Sequence, residues 1–221
     1  MRTQREANYR RMPWKNGGGE TIEMMVSPAG ASFDTFDWRV SMAYVGEPGP
    51  FSLFPNIDRT LSVIDGHGLS LTLHGEELIS INRQSEPFEF SGDLKVESTL
   101  VDGPIHDLNV MTRRHRYRHR VLRYPLASPT QLEWQGDAGI VVAIGNGINI
   151  QAEKHIVTLA QRDALVFSPD DPRVFTASPL DNVDLFLIEI WQLTAIETDA
   201  LKRRLNPPNT DRRMHDRGPP E

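Results

Sequence analysis

Three short stretches concentrate the side chains that could do chemistry. The first is Pro13-Trp14-Lys15-Asn16-Gly17-Gly18-Gly19-Glu20-Thr21. Its three glycines permit positive φ and close backbone approach. Trp14, Lys15, Asn16, Glu20 and Thr21 set apolar area, charge and hydrogen-bonding groups beside that backbone. It is not a P-loop, because Gly-Lys-Ser/Thr is missing. Two readings stand: a strand-entry turn packed on a barrel, and a loop that closes over a ligand. Composition favours the turn modestly.

The second stretch runs from Gly49 to Leu61 and ends in Asp58-Arg59-Thr60-Leu61. In an extended strand Arg59, Leu61 and Val63 share one face. If that face is interior, Arg59 is a buried cation that needs an anionic partner. A protein carboxylate would serve, and so would a ligand carboxylate held by two parallel hydrogen bonds from the planar guanidinium. The alternative puts Arg59 at a barrel rim against Asp58 or Glu20; the residues alone weigh the two evenly. The third stretch is Asp107-Leu108-Asn109-Val110-Met111-Thr112-Arg113. Asp107, Asn109, Met111 and Arg113 share one strand face, and Leu108, Val110 and Thr112 the other. An acid, an amide, a thioether and a guanidinium on one face suit a polar pocket wall. The commoner arrangement is a solvent-facing edge strand with its apolar side inward.

Other chemistries find less support. Histidines 67, 74, 106, 115, 119, 155 and 215 form no His-x-His plus Glu set of the kind metal-binding β-barrels use. His115 and His119 are four apart, but among arginines and without an adjacent carboxylate. The expectation is no metal and no cofactor. Cysteine is absent, which excludes thiolates and disulfides. No serine sits in a Gly-x-Ser-x-Gly elbow, and spacing assigns no acid/base pair of carboxylates. Catalytic residues are therefore expected to be none, and binding ranks above catalysis. The run Arg113-Arg114-His115-Arg116-Tyr117-Arg118-His119-Arg120 has the composition of a phosphate or nucleic-acid patch. With a net charge of −6 on the chain, a solvated strand paired with surrounding acids is the stronger reading, its arginines guarding an edge.

The elements that position these groups read as β. Trp38, Val40, Met42 and Tyr44 alternate with Arg39, Ser41, Ala43 and Val45, and Leu69, Leu71 and Leu73 alternate with polar residues. Asp65-Gly66-His67-Gly68 reads as a tight hairpin turn before Leu69. Ile140–Ile144, Ile148–Ala152, Ile156–Leu159, Ala164–Phe167, Val174–Ala177 and Leu185–Ile190 read as further strands. Thr198–Leu205 resembles a short capped helix, and 206–221 reads as a disordered polar tail. Pro125 to Pro129 marks the expected joint. At 221 residues and 38% apolar, the chain suits one large all-β domain or two small fused barrels. The N-terminus has no apolar signal region, and no run approaches the roughly 18 apolar residues of a membrane span. A cytoplasmic protein that binds neither membrane nor nucleic acid is the expectation.

Together the three stretches, with Trp38-Arg39-Val40-Ser41 and Phe90-Ser91-Gly92-Asp93, resemble the HutD/Ves family of bicupin-like proteins. The matching segments cover most of residues 12–113, and beyond them the likeness is one of strand rhythm. Asn56 and Leu108 stand where the family pattern has Gly and Phe. The resemblance implies an all-β chain of two cupin-type (RmlC-like jelly-roll) barrels with few short helices: a ligand-holding barrel at 1–124, a second at 125–195, and a helix with tail at 196–221. It further implies a link to histidine utilisation and no established catalytic activity. The implied ligand is a small anionic metabolite such as urocanate or N-formylglutamate, bound without metal by Trp14, Lys15, Asn16, Glu20, Arg39, Arg59, Asn109 and Met111 in a sensing or regulatory role. Two alternatives stay open: a metal-free isomerase or hydrolase using Glu20 or Asp107 as base, and a structural or partner-binding protein with a vestigial pocket. A homodimer is left open as the assembly under any of these readings.

Overall fold

The structure, a computed structural model, describes residues 1–73, 75, 77–195, 197 and 198. Apart from Thr198, the expected helix and tail lie outside the described residues. Strands are numbered in chain order, and all sheets are antiparallel. A six-stranded sheet has the spatial order β2 (Arg10–Pro13), β3 (Gly19–Ser27), β4 (Trp38–Val45), β11 (Ile105–Arg113), β6 (Ile57–Asp65), β9 (Phe88–Ser91). Facing it is a four-stranded sheet, β5 (Gly49–Pro50), β10 (Val96–Leu100), β7 (Leu69–Leu73), β8 (Glu77–Ile81). These two make the first barrel. The second pairs a five-stranded sheet, β1 (Arg2–Gln4), β17 (Ala164–Phe167), β14 (Ala138–Gly145), β19 (Val183–Gln192), β12 (Tyr117–Leu126), with a four-stranded one, β13 (Thr130–Glu133), β18 (Val174–Pro179), β15 (Ile148–Ala152), β16 (His155–Leu159).

Alternation decides how the layers stack. Val40 and Met42 of β4, with Ile22, Leu108 and Val110, meet Ile140, Val142, Phe186 and Ile188 from the five-stranded sheet. The two large sheets therefore lie back to back on a shared core. On the other face of the six-stranded sheet, Leu61 and Val63 pack on Leu69, Leu71 and Val96 of the small sheet. The second barrel is closed by its own side chains. Trp134, Phe167 and Phe175 are fully buried and stack with centroids 5.6 and 5.3 Å apart. Gly139 makes room for them, since a Cβ there would lie 2.6 Å from the Trp134 ring. No helix among the described residues is long and apolar enough to cross a membrane.

Two boundaries differ from expectation. The division expected between 124 and 125 falls instead at 114–116, because β12 pairs along its whole length with β19, from Tyr117↔Gln192 to Leu126↔Val183. Pro125 lies inside that strand rather than in a joint; β12 is an edge strand, where a missing N–H costs no ladder bond. At the other end, β1 pairs with β17 and so belongs to the second barrel. Residues 65–68 form no hairpin. β6 is already flanked by β11 and β9, and β7 by β10 and β8, so the turn carries the chain from one sheet to the other. Gly66 and Gly68 supply the positive φ, 86° and 119°, which that corner requires.

Most of the arginine-rich run is tied to the protein itself. Arg114 binds Asp58 at 2.8 Å and Asp93 at 2.7 Å, Arg116 reaches Asp37, and Arg120 reaches the buried Glu189 at 2.6 Å. Arg113 donates to the carbonyls of Phe36 and Asp34, and Arg118 lies over the Trp191 ring. His119 sits between the two large sheets, with its ring nitrogens each 2.7 Å from a threonine hydroxyl, Thr60 and Thr112. Burial pushes its pKa down to about 4.

Candidate binding site

Register places the polar groups of the first barrel in adjoining rows. Arg39, Met111 and Arg59 are direct cross-strand partners on β4, β11 and β6, and Phe90 on β9 continues the row. The next row is Glu23, Ser41, Asn109 and Leu61, and the one after it Thr21, Ala43, Asp107 and Val63. With strands about 4.8 Å apart, the Arg39 and Arg59 backbones are separated by roughly 10 Å. All these residues face the small sheet. β11 is thus a central strand with both faces covered, and its acid-amide-thioether face is an interior wall rather than a solvent-facing edge.

That wall borders a cavity of about 420 Å³, within the range of small-molecule sites. Of the eight expected binding residues, Trp14, Lys15, Asn16, Arg39, Arg59, Asn109 and Met111 line it. Glu20 does not. It is paired with Tyr44 across β3 and β4, and its neighbour Thr21 takes the inward position. Its carboxylate instead binds Arg11 at 2.7 Å. Two groups were missed. Glu23, in phase with Thr21 on β3, holds Arg39 Nε at 2.8 Å. Phe33, Phe51 and Phe54 line the cavity from the loops, and Phe33 and Phe54 approach to 6.0 Å between ring centroids.

The glycine-rich stretch is a strand-entry turn, as its first reading has it. It is the β2–β3 turn, with Gly17 at φ +77°, and it borders the cavity. Trp14 lies against the backbone of Gly19, where a Cβ would come 2.9 Å from the indole. The indole N–H donates to Thr21 Oγ1 at 2.9 Å, which fixes the ring.

Arg59 is 6% exposed. Its Nη2 donates to Asn109 Oδ1 at 3.0 Å and its Nη1 to the Ser52 carbonyl at 3.4 Å. The guanidinium lies 4.8–5.4 Å from the centroids of Phe51, Phe54 and Phe90. No carboxylate among the described residues comes within ion-pair distance of it, and its buried Nε has no hydrogen-bond partner. Arg39, also buried, gives Nε to Glu23 and Nη1 to Ser41 Oγ at 3.3 Å, which leaves Nη2 unpartnered. Burial lowers the Arg59 pKa to about 10, with Asp107 opposing and Arg39 adding to the fall. Asp107 is 1% exposed and accepts a hydrogen bond from Asn109 Nδ2. Burial pushes its carboxyl up to about 7, against the pull of Arg59, the Asn109 amide and the Ala43 backbone.

This lining does not suit a divalent cation. It includes no histidine, while Lys15, Arg39 and Arg59 bring positive charge.

Solved structures of low sequence identity define the fold. The bacterial pirin YhhW of Escherichia coli superposes with TM-score 0.61 at 7% identity, covering 87% of this chain and 99% of its own. Salicylate 1,2-dioxygenase of Pseudoaminobacter salicylatoxidans does so with TM-score 0.53 at 9% identity, covering 85% and 76%. The class is a cupin-type all-β protein with an arginine-lined cavity. The family model described as HutD matches residues 6–183, and the chain belongs to that family. HutD from Pseudomonas fluorescens has TM-score 0.74 and 31% identity over 87% of this chain and 99% of that one. A conserved protein of unknown function from Pseudomonas aeruginosa has TM-score 0.78 and 30% identity over 86% and 98%. Among curated relatives, an uncharacterized Pseudomonas putida protein, named for its place in the hutC 3' region, is 39% identical over 120 residues, 53% of this chain. That match spans 60% of the relative's own length.

Proposed function

We propose that this chain binds a small anionic metabolite in its first barrel without a metal, in a sensing or regulatory role in histidine utilisation in the cytoplasm. One observation carries the reading. Two buried guanidiniums, Arg39 and Arg59, line one cavity, and each keeps a buried N–H without a partner. A buried charge with incomplete hydrogen bonding is costly, and a carboxylate in the cavity would set an opposite charge beside the two guanidiniums. Asn109 braces Arg59, Glu23 braces Arg39, and the aromatic rings of Phe33, Phe51, Phe54 and Trp14 supply apolar walls. The HutD family gives the pathway, and the histidine-pathway acids urocanate and N-formylglutamate are the candidate ligands.

A thermal-shift screen with urocanate, N-formylglutamate and formate tests this. A ligand at 100 times its Kd stabilises the folded state by roughly 2.7 kcal/mol, which at this chain length raises Tm by about 5–10 °C. No shift with any of the acids at millimolar concentration contradicts the reading. A second reading, a metal-free isomerase or hydrolase, keeps Asp107 as its general base, because Asp107 is a buried cavity carboxyl with a raised pKa. Glu20 leaves that role because its side chain is outside the cavity. Incubating each acid with the protein and following it by NMR separates the two, since a binding module yields no product signals.

A further inference from the structure

Asp107 is the anomaly of the cavity wall. An anion site built on two arginines gains nothing from an ionised carboxylate, yet Asp107 lies in the wall, one row from Asn109 and two from the arginine row. It is not neutralised by an ion pair with Arg59. The amide of Asn109 stands between them, donating to Asp107 Oδ1 and accepting from Arg59 Nη2. The charged groups around it are few. β6 brings Arg59, β4 brings Arg39, and β3 brings Glu23, which is spent on Arg39. Lys15 and Glu47 line the cavity from exposed loops, and the facing sheet contributes the hydroxyl of Ser98 from β10. Placing a second negative charge beside Asp107 in this low-dielectric space disfavours two anions together. A carboxylic acid holding its proton, by contrast, offers a hydrogen-bond donor to an incoming carboxylate.

We propose that Asp107 is a recognition group of the cavity that enters the complex as a neutral acid and donates a hydrogen bond to the bound anion, so that binding takes up one proton. The inference rests on the anion-binding reading and adds a property that reading does not require. The site then discriminates by charge. It accepts a carboxylate together with a proton, and its affinity falls as the medium becomes alkaline.

Titration calorimetry with N-formylglutamate, in buffers of different ionisation enthalpy, reads the proton count. The carboxylates of this ligand are ionised throughout the range, so the protein supplies the only change. Near pH 8, uptake close to one proton per ligand is expected, and affinity should fall by up to about tenfold per pH unit above 7. In Asp107→Asn the uptake vanishes and the affinity no longer varies with pH, whereas Glu97→Gln, an exposed position outside the cavity lining, retains the uptake. Carbon-13 NMR of aspartate-labelled free protein gives a ligand-independent check: one carboxyl should titrate far above the ordinary range and disappear in Asp107→Asn. Binding without proton uptake, or an Asp107 that titrates with ordinary aspartates, overturns the inference and leaves the anion reading standing. Absence of binding at every pH removes both.

Discussion

Replacing Arg59 by methionine is expected to abolish carboxylate binding while leaving the protein at least as stable as the parent. Affinity should fall by about 100-fold or more, which corresponds to roughly 2.7 kcal/mol. The two effects have separate origins. Binding loses the guanidinium that lines the cavity and carries the opposite charge. Folding loses one hydrogen bond to Asn109 and one long contact to the Ser52 carbonyl, but it is relieved of a buried cation with no paired carboxylate. A flexible thioether still packs among Phe51, Phe54 and Phe90. Arg59→Lys keeps the charge but loses the planar fork, so it should bind more weakly than the parent and more tightly than the methionine variant. Opposed movements of stability and affinity mark a residue retained for function. Unfolding of Arg59→Met, or unchanged affinity for every acid that binds the parent, contradicts the assignment.

The second large effect is on stability against pH, where two buried groups oppose each other. Asp107 has a folded-state pKa raised from 3.8 to about 7. Between those values the folded state binds more protons than the unfolded, so this group makes stability fall as pH rises from about 4 to 7. His119 has its pKa lowered from 6.5 to about 4. Between those values the unfolded state binds more protons, so this group makes stability fall as pH drops. At about 1.4 kcal/mol per unit, the two effects are on the order of 4–5 kcal/mol for Asp107 and 3–4 kcal/mol for His119, and over the shared window they largely cancel. The parent should therefore show a shallow profile between about pH 4 and 7. Asp107→Asn should be most stable at and above pH 7 and lose stability steadily on acidification. His119→Gln, whose amide can serve both Thr60 and Thr112, should do the reverse. Urea unfolding midpoints at about pH 4.5, 6 and 7.5 check this. Profiles of both variants parallel to the parent's would show that neither group is buried as described.

Much of the site was legible as strand phase. The alternation of β4 put Arg39 and Ser41 on one face, the phase of Arg59 with Leu61 and Val63 did the same for β6, and Asp107, Asn109 and Met111 did so for β11. Register then joined three separately read faces into one wall. Glu20 was misplaced because the motif names residues without their phase. Counting from the inward Thr21 puts Glu23, not Glu20, inside, and the bulge that follows Glu23 shifts the register only beyond that point. The aromatic loops were invisible because Phe33 and Phe54 come together only through the tertiary fold. The corner at 65–68 and the strand through Pro125 were misread for related reasons. A glycine turn serves a sheet-to-sheet crossing as well as a hairpin, and proline is tolerated on an edge strand that the sequence does not announce. The filled interior of the second barrel, with Trp134 seated on Gly139, likewise depends on contacts between distant strands.

The central claim is that the cavity takes a carboxylate on Arg59 and Arg39, and the most direct measurement is a crystal structure of the protein with the acid that gives the largest thermal shift. The account predicts a carboxylate in the first barrel, against the guanidiniums of Arg59 and Arg39 that line its cavity. An acid bound elsewhere on the protein, with both guanidiniums unchanged, would contradict it.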